Sequence, residues 1–585
     1  MNGGQKLRKR TRKFPVFYIF IILLAITLSS VYYFFYKPNN NVVPAFSEAG
    51  PHLVVEGELV ASGDKVRIVE DDILLAFETI KEHIDPYIHW DEKLGKVTVT
   101  TKDRVIRMKT ESLDAVVNNE PMTLDIPVEE DNGTVYVPIE FLSDFYNIEI
   151  QRHDNNNVII IDFKNSVKQL AEPIDENAVV RNGRSVRHPI IKKIDINSEE
   201  DNTMRVFEEY EKWYKVRLSD GVIGYIEKKF VVVKQMTVGQ LPEKDSDSPT
   251  WTPIKGKINL VWDQIWSKTD MSKVEVIDGL DVISPTWFQL SNKDGELINR
   301  ADIRYVEWAH NNNYKVWALL SNSFNDADVT REFLNNTDSR DNLIRKILAY
   351  SALYKLDGIN IDFENLTAED KDALTQFVRE ITPLLREQGL TVSIDINTAA
   401  CYDREALAQV VDYIIVMTYD QHWKGSPEAG SVAQVTWVEK MVQKYLETIP
   451  REKLVLGMPL YTRLWKEETG EDGGISLSSE ALSMEQAREF IKKNAADVQW
   501  DEESGQFYVE ARDKNIVYKM WLEDKNSINL RLGLVHKYKL AGAASWSKNF
   551  GIQEVWEVIN TNLKFVESYQ QWKDGITDKQ YVYHN

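Results

Sequence analysis

This sequence of 585 residues is poor in cysteine and in histidine. Cys401 is the single cysteine, and there are nine histidines. One cysteine excludes a disulfide within the chain and any metal site built from several cysteines; we expect Cys401 to fill space in a loop. His52, His83 and His89 lack the close spacing of metal ligands, so we interpret them as surface or hydrogen-bonded side chains. Since no glycine-rich phosphate loop is present either, the sequence predicts no metal and no organic cofactor.

Positive charge is also scarce. The chain has 70 lysines and arginines against 91 aspartates and glutamates, a formal net charge of -21. Six of the cations lie in residues 1–13, so the rest of the chain is more acidic still. Such a chain repels phosphate backbones, which excludes nucleic acid as a partner and leaves a neutral glycan compatible.

Long apolar runs are missing except at the N-terminus. Residues 1–13 are basic, and residues 14–36 form an almost unbroken apolar and aromatic run. A run of this length slightly exceeds the ~20 residues that cross a bilayer. Because a basic flank stays on the cytoplasmic side of a membrane, this run predicts a single-pass anchor in the cell membrane. The N-terminus is then cytoplasmic, and the rest of the chain is extracellular. A cleaved signal peptide is the alternative, but residues 32–36 are bulky where a cleavage site needs small residues.

The length predicts several domains, and composition changes mark their borders. Short alternating strand patterns with one helical stretch fill residues 51–163, and a small all-β pattern fills residues 178–235. A polar linker at 238–256, a long alternating region at 257–562 and a tail at 563–585 complete the chain. The first pattern resembles the module named after the N-terminal domain of copper amine oxidases, without implying copper. The second is similar to the bacterial Src-homology-3-like barrel, which implies either attachment to peptidoglycan or a rigid spacer.

In residues 257–562, strand-like apolar runs alternate with helical patterns, which indicates parallel β/α architecture. There are eight such runs, the number of a (β/α)8 barrel: INLVWDQI, LDVISPTWF, YKVWALLSN, LDGINIDFE, LTVSIDIN, VDYIIVMTYD, LVLGMPLYTR and AGAASWS. The interval at about 466–536 is too long for one helix and contains a β-rich insertion. The predicted fold class is α/β, a TIM barrel with an α+β insertion, preceded by two small β-rich modules and one transmembrane helix.

The most informative of these runs is LDGINIDFE, residues 356–364. Apolar residues alternate with Asn360, Asp362 and Glu364, the period-two pattern of a strand that carries these three side chains on one face. Asp362 and Glu364 are then about 6.6 to 7 Å apart along the backbone. Two carboxyl groups at this separation alter each other's proton affinity and reach one small ligand. That arrangement suits acid catalysis on a sugar.

The run resembles the signature of glycoside hydrolase family 18, the chitinase-like family, which is Asp-Gly-x-x-x-Asp-x-Glu, usually with another Asp at the fourth position. Asp357, Gly358, Asp362 and Glu364 match it, and Asn360 replaces the fourth-position Asp. The resemblance implies a TIM barrel with an insertion after the seventh strand and substrate-assisted hydrolysis, in which the sugar's own acetamido oxygen attacks the anomeric carbon. An amide hydrogen-bonds but cannot share a proton as a carboxyl does, so Asn360 leaves the pH optimum open.

The resemblance also implies roles for individual residues. Glu364 is expected as the acid and then the base, Asp362 as the group that holds the acetamido nitrogen, and Tyr419 of MTYD as the hydrogen-bond partner of the acetamido carbonyl. Six further residues are expected to bind substrate or support the site: Asn360, Asp357, Asp420, Tyr461, Arg463 and Trp546. For Arg463 a structural ion pair is the alternative. Four other tryptophans either line a glycan groove or fill the barrel: Trp262, Trp266, Trp287 and Trp423.

Together these features predict a membrane-anchored, extracytoplasmic glycosidase that cleaves β-1,4 linkages in glycans containing N-acetylglucosamine. Peptidoglycan is the more economical substrate, because the anchor and the predicted wall-binding module place the enzyme beside it; chitin and host N-glycans are the alternatives. The alternative function is a catalytically silent, lectin-like envelope protein. Such proteins typically lose the acid, which this chain keeps at Glu364.

Overall fold

The computed structural model describes residues 16–33, 37–46, 50–69, 72–198, 203–238, 253–267, 269–575, 581 and 583. The predicted cytoplasmic segment 1–13 and most of the predicted linker 238–256 lie outside these residues. The described residues form two compact units. One contains those up to 88, 110–113 and 123–238, and the other contains 89–109, 114–122 and those from 253 onward.

The first described element is a helix, and short strands follow it. In order these are α1 (Val16–Val31), β1 (His52–Val55), β2 (Glu58–Ser62), β3 (Val66–Val69), β4 (Asp72–Ala76), α2 (Phe77–His83), β5 (His89–Asp91), β6 (Lys96–Thr100), β7 (Val105–Lys109), β8 (Asp114–Val117), β9 (Glu120–Thr123), β10 (Glu129–Asp131), β11 (Thr134–Pro138), α3 (Ile139–Tyr146), β12 (Ile148–His153) and β13 (Val158–Phe163). They form three sheets, ordered β12-β13-β1-β2, β10-β11-β4-β3 and β5-β6-β7-β8-β9. The first two lie in the first unit, whereas the third belongs essentially to the second.

A seven-stranded antiparallel sheet follows in the first unit. Its strands are β14 (Val167–Pro173), β15 (Val179–Arg181), β16 (Ile190–Lys193), β17 (Met204–Glu209), β18 (Trp213–Leu218), β19 (Ile223–Glu227) and β20 (Val231–Val238). The all-β character of this region agrees with its alternating pattern. The sheet begins earlier than the predicted border at residue 178, because β14 pairs with both β17 and β20. Its likeness to a Src-homology-3 barrel stays a prediction.

Eight parallel strands close into a barrel in the second unit. They are β21 (Ile258–Asp263), β22 (Val282–Pro285), β25 (Lys315–Ser321), β26 (Gly358–Asp362), β27 (Thr391–Ile396), β28 (Tyr413–Met417), β29 (Leu454–Pro459) and β35 (Gly542–Trp546). Pairing of β22 with β25 and of β21 with β35 completes the ring. Each predicted run contributes one strand, so the predicted barrel is confirmed. Two short strands, β23 (Phe288–Leu290) and β24 (Leu297–Asn299), extend it at one side.

Amphipathic helices cover the barrel with their apolar faces. They are α4 (Ile303–Asn311), α5 (Ala327–Leu334), α6 (Thr337–Tyr354), α7 (Lys371–Glu387), α8 (Arg404–Val410), α9 (Val435–Tyr445), α11 (Lys525–Lys537) and α12 (Gln553–Asn560). The largest hydrophobic core of the protein lies between these helices and the strands. Inside the ring, Trp262, Trp317 and Tyr413 fill the barrel centre. The barrel is therefore packed, and only its rim is open for chemistry.

An α+β insertion follows β29. It consists of β30 (Tyr461–Thr469), β31 (Ile475–Ser483), α10 (Met484–Asn494), β32 (Asp497–Asp501), β33 (Gln506–Asp513) and β34 (Ile516–Trp521). Its sheet begins directly after β29, a few residues before the predicted border at 466. The tail forms α13 (Tyr569–Asp574), and Tyr581 stacks on Trp500 of the insertion at 3.9 Å between ring centroids.

The predicted transmembrane anchor over residues 14–36 is wrong. Within the described part of the chain, no helix is both long enough and apolar enough to cross a membrane. Helix α1 has 16 residues, which is about 24 Å at 1.5 Å per residue, against ~30 Å of hydrocarbon in a bilayer. The predicted single-pass location in the cell membrane depended on this helix and is therefore wrong as well.

Candidate active site

The site is built on two neighbouring strands whose polar side chains lie opposite one another. Strands β26 and β27 pair in parallel, with Asn360 beside Ser393 and Ile361 beside Ile394. Continued past these pairs, the register brings Asp362 level with Asp395, while Glu364 and Asn397 follow the ends of the two strands. Because alternate residues share a face, the six polar side chains form three cross-strand pairs at the C-terminal end of the barrel. We call this set the polar ladder: Asn360, Ser393, Asp362, Asp395, Glu364 and Asn397.

The lowest rung is Asn360, which is fully buried. Its Oδ1 accepts hydrogen bonds from Trp262 Nε1 at 2.8 Å and Ser284 Oγ at 3.2 Å. Its Nδ2 donates to Ser393 Oγ at 3.1 Å and to Asp395 Oδ1 at 2.8 Å. An amide offers two acceptor positions and two donor hydrogens, so every one of them is used.

The middle rung is a pair of buried carboxyl groups. Asp362 is 6% exposed and Asp395 is 1% exposed. Burial raises the pKa of Asp362 well above its usual range, and the charges of Glu364 and Asp395 raise it further. Burial also raises the pKa of Asp395, against the hydrogen bond from Asn360, which lowers it. Within the described structure Asp362 Oδ1 has no hydrogen-bond partner, whereas Asp395 Oδ1 accepts from Asn360.

The top rung carries Glu364, the half-buried carboxyl group nearest to solvent. Asn322 holds its backbone through two hydrogen bonds of 2.9 Å: the Glu364 amide donates to Asn322 Oδ1, and Asn322 Nδ2 donates to the Glu364 carbonyl. Asn397 Nδ2 lies 3.4 Å from Glu364 Oε2. Burial and the charge of Asp420 raise the pKa of Glu364, and the hydrogen bond from Asn397 opposes them. Glu364 therefore keeps its proton to higher pH than an exposed glutamate does.

Two tyrosines and an arginine border the site beside β27, after the next two strands of the ring, β28 and β29. Tyr419 follows β28, and burial together with Asp395, Glu364 and Asp362 raises its pKa well above the usual range. The next residue, Asp420, accepts a hydrogen bond from Tyr461 Oη, and Arg463 Nη2 lies 3.9 Å from its carboxylate. Arg463 also donates to Ser479 Oγ at 3.3 Å, so the alternative of a structural role for Arg463 has contacts that support it.

Aromatic rings lie beneath and around the ladder. Trp546, at the end of β35, is half-buried and meets Trp262 edge to face at 5.7 Å between ring centroids. Trp262 and Trp287 are fully buried, which resolves their role in favour of the barrel core. In contrast Trp266 is 80% exposed and Trp423 is 56% exposed, on the loops that follow β21 and β28. These two remain candidates for contact with a glycan.

The structure separates one predicted site residue from the rest. Asp357 precedes β26 and therefore lies at the N-terminal end of the barrel, away from Asp362 and Glu364. Its carboxylate accepts a hydrogen bond from the Val316 amide at 2.8 Å and lies 2.8 Å from His310 Nε2. The other eight lie at the C-terminal end of the strands: Asn360, Asp362, Glu364, Tyr419, Asp420, Tyr461, Arg463 and Trp546.

Sequence reasoning missed the β27 half of the ladder and Asn322. The signal for Ser393, Asp395 and Asn397 was present, because SIDIN alternates polar and apolar residues in the same way as INIDFE. Asn322 follows β25 directly and belongs to no sequence motif that would have identified it. Its role depends on the distance from the end of β25 to Glu364, which only the folded barrel defines.

Comparison with known proteins agrees with this geometry. Residues 264–550 match the glycosyl hydrolases family 18, and residues 54–161 match the copper amine oxidase N-terminal domain. An uncharacterized glycosylase of Bacillus subtilis is 25% identical over 293 residues, 46% of this chain and 82% of that protein. The cortical fragment-lytic enzyme of Bacillus subtilis is 23% identical over 340 residues, 56% of this chain and 76% of that protein.

Among solved structures, the spore cortex-lytic enzyme of Bacillus megaterium is 22% identical with a TM-score of 0.46, covering 57% of this chain and 79% of that one. The predicted resemblances to both families are confirmed by these matches. Residues 264–550 thus form a glycosyl hydrolases family 18 domain, and the protein is a glycosidase.

Proposed function

We propose that this glycosidase cleaves β-1,4 linkages in peptidoglycan, at N-acetylglucosamine residues, by substrate-assisted catalysis with retention of configuration. The observation that carries the proposal is the polar ladder. It gathers Asp362, Asp395 and Glu364 at one end of the barrel, with Tyr419 within electrostatic reach of all three. Burial and neighbouring acidic charge raise the pKa of Asp362 and of Glu364, and only the hydrogen bond from Asn397 opposes the rise at Glu364.

Glu364 acts first as the acid. Its proton passes to the glycosidic oxygen while the acetamido oxygen of the same sugar attacks the anomeric carbon, so the bond to the leaving sugar breaks as a cyclic oxazolinium ion forms. Glu364, now ionised, then removes a proton from water, whose oxygen opens the oxazolinium ion. The raised pKa of Glu364 supports the first step, because an acid must hold its proton at working pH.

Asp362 and Tyr419 hold the acetamido group. The unpartnered Oδ1 of Asp362 is available to accept a hydrogen bond from the acetamido N–H. Tyr419 Oη keeps its proton, since its pKa is raised, and donates to the acetamido oxygen. The Asp362 oxygen then faces the positive charge that develops on this group, and such a contact stabilises the transition state more than the ground state.

Exposed aromatic rings support a polymeric substrate. Trp546 presents a half-buried ring beside the ladder, and Trp266 and Trp423 expose theirs on neighbouring loops. The apolar C–H faces of pyranose rings stack on such side chains. Peptidoglycan is the polymer that we favour over chitin, because relatives of this chain include enzymes named for the lysis of cortical fragments.

The test incubates the full chain and its Glu364→Gln variant with purified peptidoglycan and with chitin oligomers, and follows new reducing ends by mass spectrometry. We expect release from peptidoglycan by the wild type and at least about a hundredfold less by Glu364→Gln, the usual scale for loss of a general acid. The product masses identify the bond that is cut. The rate should fall as pH rises through the raised pKa of Glu364, because the acid form is then lost.

Three results would count against the proposal. Cleavage of chitin oligomers alone would replace peptidoglycan by chitin as the substrate. Equal rates for the wild type and Glu364→Gln would remove Glu364 from the chemistry. Binding without cleavage by both proteins would establish a lectin-like function.

A further inference from the structure

A short segment of the first compact unit is strongly basic, although the chain as a whole is acidic. Residues 181–193 contain five arginines and lysines, one histidine and no aspartate or glutamate. Over the whole chain only 70 of 585 residues are lysine or arginine. The segment spans the end of β15, the loop 182–189 and all of β16, and the two strands pair as an antiparallel hairpin. We call residues 181–193 the cationic hairpin.

Two of the five cations have structural partners. Arg181 is buried, and its Nη1 donates hydrogen bonds to the carbonyl of Asn39 at 2.6 Å and to the carbonyl of His188 at 2.7 Å. Lys192 Nζ lies 2.7 Å from the carboxylate of Asp220. These two side chains therefore stabilise the hairpin and are not available to a ligand.

The other three cations face solvent. They are Arg184, Arg187 and Lys193, and each of them is exposed. Within the described residues none of the three forms an ion pair with a carboxylate. The chain has 91 aspartates and glutamates, so acidic partners are in excess. Three neighbouring cations that lack such a partner leave a local positive potential on an otherwise acidic protein.

The loop that carries the two exposed arginines has a defined shape. Its ends are joined by a hydrogen bond of 3.2 Å from the Asn182 amide to the Pro189 carbonyl. The segment beside it adds a second contact, since the Asn39 amide donates to the Val186 carbonyl at 2.8 Å. Because the backbone is held before a ligand arrives, binding requires little additional ordering of the loop.

Arg184 is also held at its side chain. Its guanidinium group lies 4.2 Å from the centroid of the Tyr210 ring, and such a contact orients the cation without neutralising its charge. Arg184 is within electrostatic reach of Glu208. That carboxylate, however, is already bound by the Tyr210 hydroxyl group and by Lys215 Nζ at 3.0 Å. Arg184 therefore retains hydrogen-bond donors for an oxyanion from solution.

We propose that the cationic hairpin binds a flexible polyanion built of repeated phosphodiester groups, a partner distinct from the glycan that the barrel cleaves. Guanidinium groups bind phosphate oxygens in pairs, and lysine binds phosphate as a point charge. The three exposed cations are distributed over a loop and the strand that follows it. This distribution suits several charges of one chain better than a single small anion.

The charge of the rest of the protein selects a flexible polymer. A stiff duplex of high charge density would also meet the acidic surface of a chain with a net charge of -21, which repels it. A flexible single chain can contact the hairpin alone. The inference does not depend on the proposed reaction, because the hairpin and the barrel belong to different compact units.

The test measures binding of the full chain to fluorescently labelled poly(glycerol phosphate) by fluorescence anisotropy in about 0.1 M salt, where charges more than ~10 Å apart are screened. Arg184→Gln with Arg187→Gln removes both loop arginines, and we expect Kd to rise about tenfold. The matched control is Arg345→Gln with Arg512→Gln. Both of these arginines are exposed and lie in the other unit, so the same charge is removed and Kd should stay within about twofold.

Salt dependence gives a second readout. The affinity of the wild type should fall as the salt concentration rises, because bound phosphates release counterions. A plot of log Kd against log salt concentration should be shallower for the variant without the two loop arginines than for the wild type. Equal slopes would show that these arginines contact no phosphate and would contradict the proposal.

Three results of the binding test would overturn the proposal. One is an equal Kd for the wild type and the variant without the loop arginines. Another is equal affinity for poly-L-glutamate of the same number of charges, which would replace phosphodiester by any carboxylate polymer. The third is binding to phosphatidylglycerol vesicles without binding to poly(glycerol phosphate), which would assign the hairpin to a membrane surface.

Bacterial walls that carry polyol phosphate chains extend the test to an insoluble polymer. Hydrofluoric acid cleaves the phosphodiester bonds and leaves the peptidoglycan. With Glu364→Gln added to both sets of substitutions, we expect more of the control than of the hairpin variant to sediment with untreated walls, and equal amounts with treated walls. A difference that survives the treatment would assign the partner to the peptidoglycan and overturn the proposal. If the wild type cleaves no glycan, the proposed function fails, and this comparison still decides the role of the hairpin.

Discussion

Asn360 is the residue at which the site departs from the usual signature of its family, and its contacts explain why an amide fits there. Two donors meet its oxygen, and two acceptors meet its nitrogen. A carboxylate would satisfy Trp262 and Ser284 but would offer no hydrogen to Asp395. The amide is thus matched to the carboxyl group on the next strand.

Replacing Asn360 by leucine should lower the free energy of unfolding by roughly 3 kcal/mol. Four buried partners lose a hydrogen bond at once, and a buried polar group left unsatisfied costs about 1–3 kcal/mol. Urea denaturation of the full chain measures the change. Ile359→Leu is the matched control on the same strand, with its volume conserved and an expected cost below about 1.5 kcal/mol. Equal losses in the two variants would show that the network contributes little.

Tyr419→Phe tests a single hydroxyl group of the proposed site. We expect kcat to fall about a hundredfold with KM nearly unchanged, the scale for removing one donor that binds the transition state. Steady-state kinetics on the N-acetylglucosamine oligomer measures both constants. Tyr445→Phe is the control, because Tyr445 is buried in α9 and its hydroxyl group has no partner within the described structure. A similar loss in both variants would argue against a role for Tyr419.

At this scale the sequence predicted one half of the ladder. Alternation in INIDFE identified Asn360, Asp362 and Glu364, because side-chain parity is a local property of a strand. Asp395 has the same alternation around it, but its significance depends on the register between β26 and β27, which no local pattern records. Asp357 was assigned to the site by its place in the signature, although it lies before the strand and so at the other end of the barrel.

At the scale of elements, the barrel was predictable because each strand is a short apolar run between longer amphipathic helices. All eight runs became strands. The apolar run at the N-terminus was misjudged for a related reason: the length of a run sets only an upper limit on the helix that it can form, and the described helix there is α1 (Val16–Val31). The seven-stranded sheet includes β14, which precedes the predicted border at residue 178, because β14 pairs with strands more than thirty residues away.

The turn between α6 and β26 allows a test of local backbone geometry. Helix α6 ends at Tyr354, and Lys355 caps it in the left-handed conformation with a φ of 56°. In that region a residue with a Cβ is less stable than glycine by about 1 kcal/mol of conformational free energy. Lys355→Gly should therefore raise the free energy of unfolding by about 1 kcal/mol, measured by urea denaturation, with activity unchanged. Lys346→Gly, inside α6, is the control and should destabilise the protein by about 1 kcal/mol.

At the scale of the whole molecule, contiguous sequence does not correspond to one compact unit. Residues 54–161 match one family, yet the sheet of β5 to β9 inside that range belongs to the unit of the barrel. Polar contacts fix it there: the Thr337 amide donates to Asp91 at 3.0 Å, and Arg379 donates to the hydroxyl and the carbonyl of Thr100. Sequence patterns locate such a sheet along the chain but contain no information on what it packs against.

The centre of this contact is a buried charge cluster. Arg107 of β7 lies 3.1 Å from Glu380 of α7 and 2.5 Å from Asp341 of α6, while Arg340 binds Glu380 through two nitrogens at 2.8 and 2.9 Å. Burial alone would raise the pKa of Glu380, but the charges of Arg107 and Arg340 outweigh it and lower this pKa to about 2. The cluster thus ties the stability of the sheet and of the barrel to the ionised form of one glutamate.

Acid should therefore weaken this unit, and Arg107 should control by how much. The folded pKa of Glu380 lies below the value of 4.5 in the unfolded chain, so the stabilisation is complete above that value and is lost as pH falls toward the folded pKa. The loss is about 3 kcal/mol for the full shift.

Arg107→Met should lower the free energy of unfolding at neutral pH by about 2 kcal/mol and reduce the acid-dependent loss, as measured by urea denaturation at a series of pH values. The same change at Arg512, whose side chain is 70% exposed, should alter stability by less than about 0.5 kcal/mol. An acid dependence identical in Arg107→Met and the wild type would mean that Arg340 alone holds Glu380 ionised, and that β7 contributes no charge to the barrel's stability.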